Sequence, residues 1–534
     1  MPDPRRRDGR ARLERALGTP GRRFRQRGTA RARAAKTAAL LAGAAWAAYA
    51  LPATSPPVPA ARAVPGGGGS GTSWTVYHGD PLGTGVARLA SGLLPLRLAW
   101  RSPPLDGQLY GEPLASAGRV LVATERDTVY ALAASTGRIL WMRHLGAPVP
   151  SRDLPCGDIA PDVGITGTPV VDPARHEVFV VADELRRGLA TSHHLVGIDL
   201  YDGRVELDEA VDPPRSDPSA LLQRPGLALD RGQVLIAFGG NYGDCGNYHG
   251  TIAAVPEVGG RPRYYLVDAA AGERQGAVWM GGAAPLVDPE GDVWFAAGNG
   301  SQSGPPYDGS DSVTELSSSL RLEQLFAPST WPQDNRSDLD LGSTAPAFVG
   351  AYVFQVGKRH VAYLLSRSHL GGIGHPLVSM PLCEQDPHGG SAVLGSTVYL
   401  ACGEGVTAVR ISSRPPRISL LWTTPPGPSG APVDGPPIIA AGLVWSLDTD
   451  GTLWGLSPAN GHHVVEEQTH AGEANHFPTP AVAEGLLLAP TTDRVFAYSG
   501  PAGPPPAPVD RRSGSRRQAG VAPGRRWRQR ATAR

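Results

Sequence analysis

Between residue 113 and residue 500 one phrase recurs eight times. A small turn, usually ending in Pro, leads into a short apolar strand and a glycine turn. A Val/Leu/Phe-rich strand follows, then a polar hairpin and a further apolar strand. The copies start at Pro113, Pro169, Pro225, Pro285, Pro346, Ser391, Pro437 and Pro480, between 43 and 61 residues apart. In the first copy Val120-Leu121-Val122-Ala123 and Val129-Tyr130-Ala131-Leu132 flank the hairpin Thr124–Thr128. In the fourth the second strand reads Val293-Trp294-Phe295-Ala296. Apolar runs of four to six residues between glycine turns are sheet signals. The 68 glycines and 53 prolines supply turns for many short elements and argue against a helix bundle. A period of roughly 40–50 residues with three or four strands marks a propeller blade. One blade cannot cover both its faces, whereas eight in a ring can, and closure leaves only short edges. The expected fold class is therefore all-β: an eight-bladed β-propeller over residues 73–500. Trp74–Tyr77, together with Leu96–Trp100, is expected to complete the last blade and close the ring.

The ends differ from this body. The net charge of +1 hides residues 1–36 at +10, residues 501–534 at +8 and a body, 37–500, of 28 basic and 45 acidic residues at −17. Phosphate attraction needs a basic face, so nucleic acid is not an expected partner of the body. Only two lysines occur, Lys36 and Lys358, a bias that fits a GC-rich genome. After the basic segment 1–36, residues 37–51 are apolar and Ala-rich. They are short for a membrane span and suited to a signal region. Ala61-Arg62-Ala63 would suit a signal peptidase, but the long basic lead and intervening prolines favour an uncleaved anchor. Both readings leave the basic residues inside and export the body. The expected location is the cell membrane with the propeller outside; secretion after cleavage is the alternative. Residues 52–72 read as a Pro/Gly linker, and 501–534 as a disordered Arg/Pro-rich tail.

The phrase Ala131-Leu132-Ala133-Ala134-Ser135-Thr136-Gly137-Arg138-Ile139-Leu140-Trp141 resembles the tryptophan-docking motif of the quinoprotein, or PQQ-repeat, β-propellers. Gly197-Ile198-Asp199 with Asp202-Gly203, and Gly455-Leu456 with Asn460-Gly461, resemble it less fully. Ala133 stands where that family usually has Asp, and the later copies lack the Trp. Such decay implies a non-catalytic, exported member, of the kind that includes propeller lipoproteins of outer-membrane assembly.

In such a ring the residues before each innermost strand meet at one mouth of the central channel. The repeat register sends Glu112, Asp162, Arg224, Trp279, Asp338 with Asp340, Asp386 with His388, Asp434, and Asn475 with His476 there. The long hairpins Ala182–His194, Gly239–His249 and Gly298–Ser312 are expected to wall one side. A polar funnel of this kind suits a cation, a sugar or a basic peptide. The same register puts Cys156 near Cys245, and Cys383 near Cys402, on the mouth face. These two disulfides are expected in an exported chain. Zinc is the rival, but no Cys-x-x-Cys or paired-His spacing supports it.

Two functions follow. The first is an extracytoplasmic binding or scaffold module, without cofactor, for a cell-envelope protein or polysaccharide. The second, implied by the resemblance, is a dehydrogenase of alcohols or sugars using PQQ with calcium, for which Asp338, Asp340 and Trp279 are available. Against it, the vicinal Cys-Cys of the alcohol-type enzymes is absent, and so is a haem-binding Cys-x-x-Cys-His. Asp448-Thr449-Asp450-Gly451 resembles the start of a calcium loop but is expected to be a hairpin turn.

Overall fold

The computed structural model describes residues 73–87, 92–186, 190–269, 273–427, 435–469 and 473–505. The expectations for 1–72 and for the tail beyond 505 fall outside these residues. Among the described residues no helix is long and apolar enough to cross a membrane.

Eight antiparallel sheets form the blades of a β-propeller. Their innermost strands are Leu114–Ser116, Val170–Asp172, Ala228–Asp230, Leu286–Val287, Ala347–Val349, Ala392–Leu394, Ile438–Ala440 and Ala481–Ala483. The period-2 pattern seats each sheet between two neighbours. In blade 2, Val178 and Val180 pack in a cluster shared with blade 1, while Phe179 and Val181 pack with blade 3. Further clusters join blades 3 and 4, 4 and 5, 5 and 6, and 6 and 7. One large cluster runs through blades 7, 8, 1 and 2 and completes the circle.

The ring closes as expected in one respect. Arg97–Arg101 pairs antiparallel with Val495–Ser499, so the outer strand of blade 8 comes from the start of the body. Trp74–Tyr77 does something else. Residues 74–87 pass through the central channel as a plug. The carbonyls of Trp74, Thr75, Pro81, Thr84 and Gly85 accept from the N–H groups of Ala115, Val171, Val287, Val393 and Ile439, at 2.7–2.9 Å. Those donors belong to the innermost strands of blades 1, 2, 4, 6 and 7. The inner edge of a propeller strand has no neighbouring strand, so its amides need another acceptor. The plug supplies one while burying Trp74, Val76 and Tyr77.

Tryptophan docking links neighbouring blades rather than closing one phrase on itself. Trp100 Nε1 donates to Ala134 O, Trp141 Nε1 to Leu200 O, and Trp422 Nε1 to Pro458 O. Each indole lies on the glycine turn of the following blade. A Cβ on Gly137 or Gly203 would stand 2.4 or 2.7 Å from the ring, so both turns require glycine. The three turns picked out by the resemblance are the three receptors.

Candidate functional site

Loops before the innermost strands and between the second and third strands open on one face, where they frame a cleft of about 790 Å³. Seven of the expected mouth residues line it: Arg224, Trp279, Asp338, Asp340, Asp386, His388 and His476. Three do not. Glu112 lies beneath, holding the plug: Trp74 Nε1 donates to its Oε1 at 3.0 Å and His78 N to its Oε2 at 2.8 Å. Asp162 pairs with Arg126 at 2.6 Å and lines a separate hollow. Asp434 lies outside the described residues. Asn475 is tied to Leu109 O through its amide. Two of the three long hairpins contribute to the wall. The blade 2 hairpin instead extends its strands, with Pro148 bridging to Glu184, and none of its described residues lines the cleft.

Both disulfides form as expected. Cys156 joins Cys245 with a Cα separation of 6.0 Å, and Cys383 joins Cys402 at 5.3 Å. The first fastens the loop entering blade 2 to the hairpin whose Tyr242, Gly243 and Asp244 form one rim. Asp448-Thr449-Asp450-Gly451 is a hairpin turn, with Gly451 N donating to Asp448 O.

One side of the cleft is aromatic. The rings of His388 and Phe477 stack at 4.3 Å, and Trp279 stands 5.7 and 6.3 Å from them. Burial is the main cause lowering the His388 pKa to about 4, so its imidazole is neutral at pH 7. A polar cluster adjoins Trp279. Lys358 Nζ lies 2.7 Å from Asp340 and 3.3 Å from Asp338, with its charge 5.4 Å over the Trp279 ring. Burial lifts the Asp340 pKa, opposed by Lys358, and the carboxylates keep Lys358 charged. Asn299 N donates to Asp340 Oδ1 at 2.7 Å and its amide donates to Asp338 Oδ1 at 2.8 Å. The Asn299 Oδ1 is buried without a hydrogen-bond partner. Gly298 makes the approach possible, because a Cβ there would stand 2.3 Å from Asp340 Oδ1.

Sequence reasoning missed Asn299, Lys358 and Phe477. A signal for Lys358 existed: it is the one lysine of the acidic body in a chain with 48 arginines.

Burial leaves a pH signature. Glu125 and Asp183 are lifted to about 7 from 4.5 and 3.8, chiefly by desolvation, and Glu112 is also lifted far. A raised carboxyl pKa means the folded state binds more protons, so stability rises as pH falls from about 7 towards 4.5. His78 and His388, both lowered to about 4, act the other way below 6.5. The carboxyls are more numerous and start higher. The melting temperature is therefore expected to rise by several degrees between pH 7.5 and 5.5 in thermal melts at constant ionic strength. A flat or falling profile would show that these carboxyls are solvated in the folded protein.

The fold is an eight-bladed β-propeller similar to those of the quinoproteins, and a PQQ-repeat family model matches part of the chain. Residues 85–301 match the family described as outer membrane protein assembly factor BamB. Among solved structures, the quinohemoprotein alcohol dehydrogenase of Comamonas testosteroni is similar, with a TM-score of 0.59 at 16% identity over 82% of each chain. A europium-containing methanol dehydrogenase is similar at 0.60 and 11%, over 81% of this chain and 98% of its own. No curated protein matches the sequence.

Proposed function

We propose that the protein is an exported, membrane-tethered propeller that binds a cell-envelope polysaccharide at the ring mouth. The cleft carries this reading. A sugar ring offers a C–H face to an indole or phenyl ring and hydroxyls to carboxylates and amides. Trp279 and Phe477 line the cleft next to Asn299, Asp338, Asp340 and Lys358, with the Lys358 charge over the Trp279 ring. A walled hollow of this volume suits a ring-sized group better than a broad protein surface. A protein partner, which the matched family's description favours, is the other occupant of the same face. Two disulfides support an oxidising compartment, and residues 37–51 are the proposed tether.

The dehydrogenase reading draws on the similar folds and on the gathering of Trp279, Asp338 and Asp340. The donor set does not fit calcium as arranged. Calcium takes about six to eight oxygen ligands. Here Lys358 already lies against both carboxylates, and the groupings of three His, Cys, Asp or Glu ligand atoms found among the described residues lie elsewhere.

The full-length protein is expected to bind envelope oligosaccharides in isothermal titration. Trp279→Ala should weaken that binding by about tenfold or more, with the melting temperature little changed. Binding of PQQ with calcium, seen as a quinone spectrum and dye reduction with alcohols or sugars, would replace this reading.

A further inference from the structure

We infer that the cleft takes a ring carrying a carboxylate, with Arg224 as its counter-ion; this rests on the saccharide reading above and names its class. Four of the five carboxylates lining the cleft already have partners. Asp338 and Asp340 share Lys358, Asp386 meets His360 at 2.9 Å, and Asp244 accepts from the Tyr248 hydroxyl; the fifth, Asp158, lies at the exposed rim, 3.6 Å from His476. Arg224 is the exception among the buried charges of the cleft. It is 6% exposed, yet no carboxylate lies within 4.0 Å of it among the described residues.

Its Nη2 donates to the carbonyl of His476 at 2.9 Å, and its guanidinium lies 5.7 and 6.0 Å from the Tyr110 and Phe477 rings. One carbonyl does not match a planar fork of five donors. A buried charge with no counter-ion is costly, and a ligand carboxylate would remove that cost through paired, charge-assisted hydrogen bonds. Glu125, the strongest carboxyl influence on Arg224, is a poor substitute. Burial raises it to about 7, and its Oε2 is taken by Gly164 N and Thr166. The guanidinium is also confined: a Cβ on Gly282 would stand 2.4 Å from Nη1, so bare backbone packs against it. Phe477, beside it, continues the aromatic wall to Trp279. A sugar acid lying on that wall can present its carboxylate to Arg224.

The test compares β-1,4-tetraglucuronate with cellotetraose, which share linkage and differ in carboxylate against hydroxymethyl. Both are titrated into the full-length protein by calorimetry. The uronate is expected to bind at least about tenfold more tightly. Arg224→Gln should remove that preference while changing cellotetraose affinity less than about threefold, and Arg224→Lys should restore only part of it. Equal affinities in the unsubstituted protein would overturn the role of Arg224 and leave the saccharide reading standing. Binding of neither probe would overturn both for this linkage. A preference that survives in a folded Arg224→Gln would also overturn the assignment. The comparison in the unsubstituted protein stands even if the variants fail to fold.

Discussion

Replacing Trp74 with Ala is expected to lower the unfolding free energy by about 3–5 kcal/mol. The indole is 3% exposed and lies where a Cβ on Gly79 would come within 2.7 Å of its ring. Little can collapse into the space it leaves, because the inner strands around it are held by their own blades. Its N–H is also a donor to buried Glu112, so truncation leaves that carboxyl with one partner fewer. The effect should spread. With the plug loosened, the amides of Val171, Val287, Val393 and Ile439 lose fixed acceptors. Equilibrium urea unfolding would give the free energy, and native-state hydrogen exchange at these amides would give the spread. Trp74→Phe keeps most of the packing and should lose less. Unchanged stability and exchange in Trp74→Ala would show the plug to be a passenger in a ring that stands without it.

Removing the Cys156–Cys245 disulfide by a double Ser substitution is expected to cost about 4–5 kcal/mol, against about 3 for Cys383–Cys402. The difference follows from the loops closed, 89 residues against 19. The first loss should also weaken ligand binding, because that bridge fastens the hairpin carrying Tyr242 and Asp244 at the cleft rim. Urea unfolding of both double variants checks the order. Equal costs would show that loop closure in the unfolded chain is not what these bridges act on.

The blades were legible because a strand buried on both faces writes itself into consecutive residues. Val178-Phe179-Val180-Val181 alternates between two inter-blade clusters and reads as a continuous apolar run. The mouth was legible more coarsely. Reading back from each innermost strand reached Arg224, Trp279, His388 and His476, because the loop entering a blade opens on the mouth face. It failed at Glu112, which also lies just before an innermost strand but sits one level deeper, where the plug offers it two donors. It missed Asn299 and Lys358, which arrive on hairpins after the second strand. Hairpin length varies from blade to blade, so no constant offset finds them.

The blades and their order along the chain were set by local patterns: apolar runs, glycine turns and spacing along one chain. The course of residues 74–87 was decided only in three dimensions. A short stretch such as Trp74-Thr75-Val76-Tyr77 has the composition of an outer strand and of a plug alike. What chooses between them is the unfilled inner edge that exists only once the blades stand in a ring. The charge match in the cleft has the same origin. Arg224 and Lys358 are each one basic residue in the sequence, and only packing gives one of them two carboxylates and the other none.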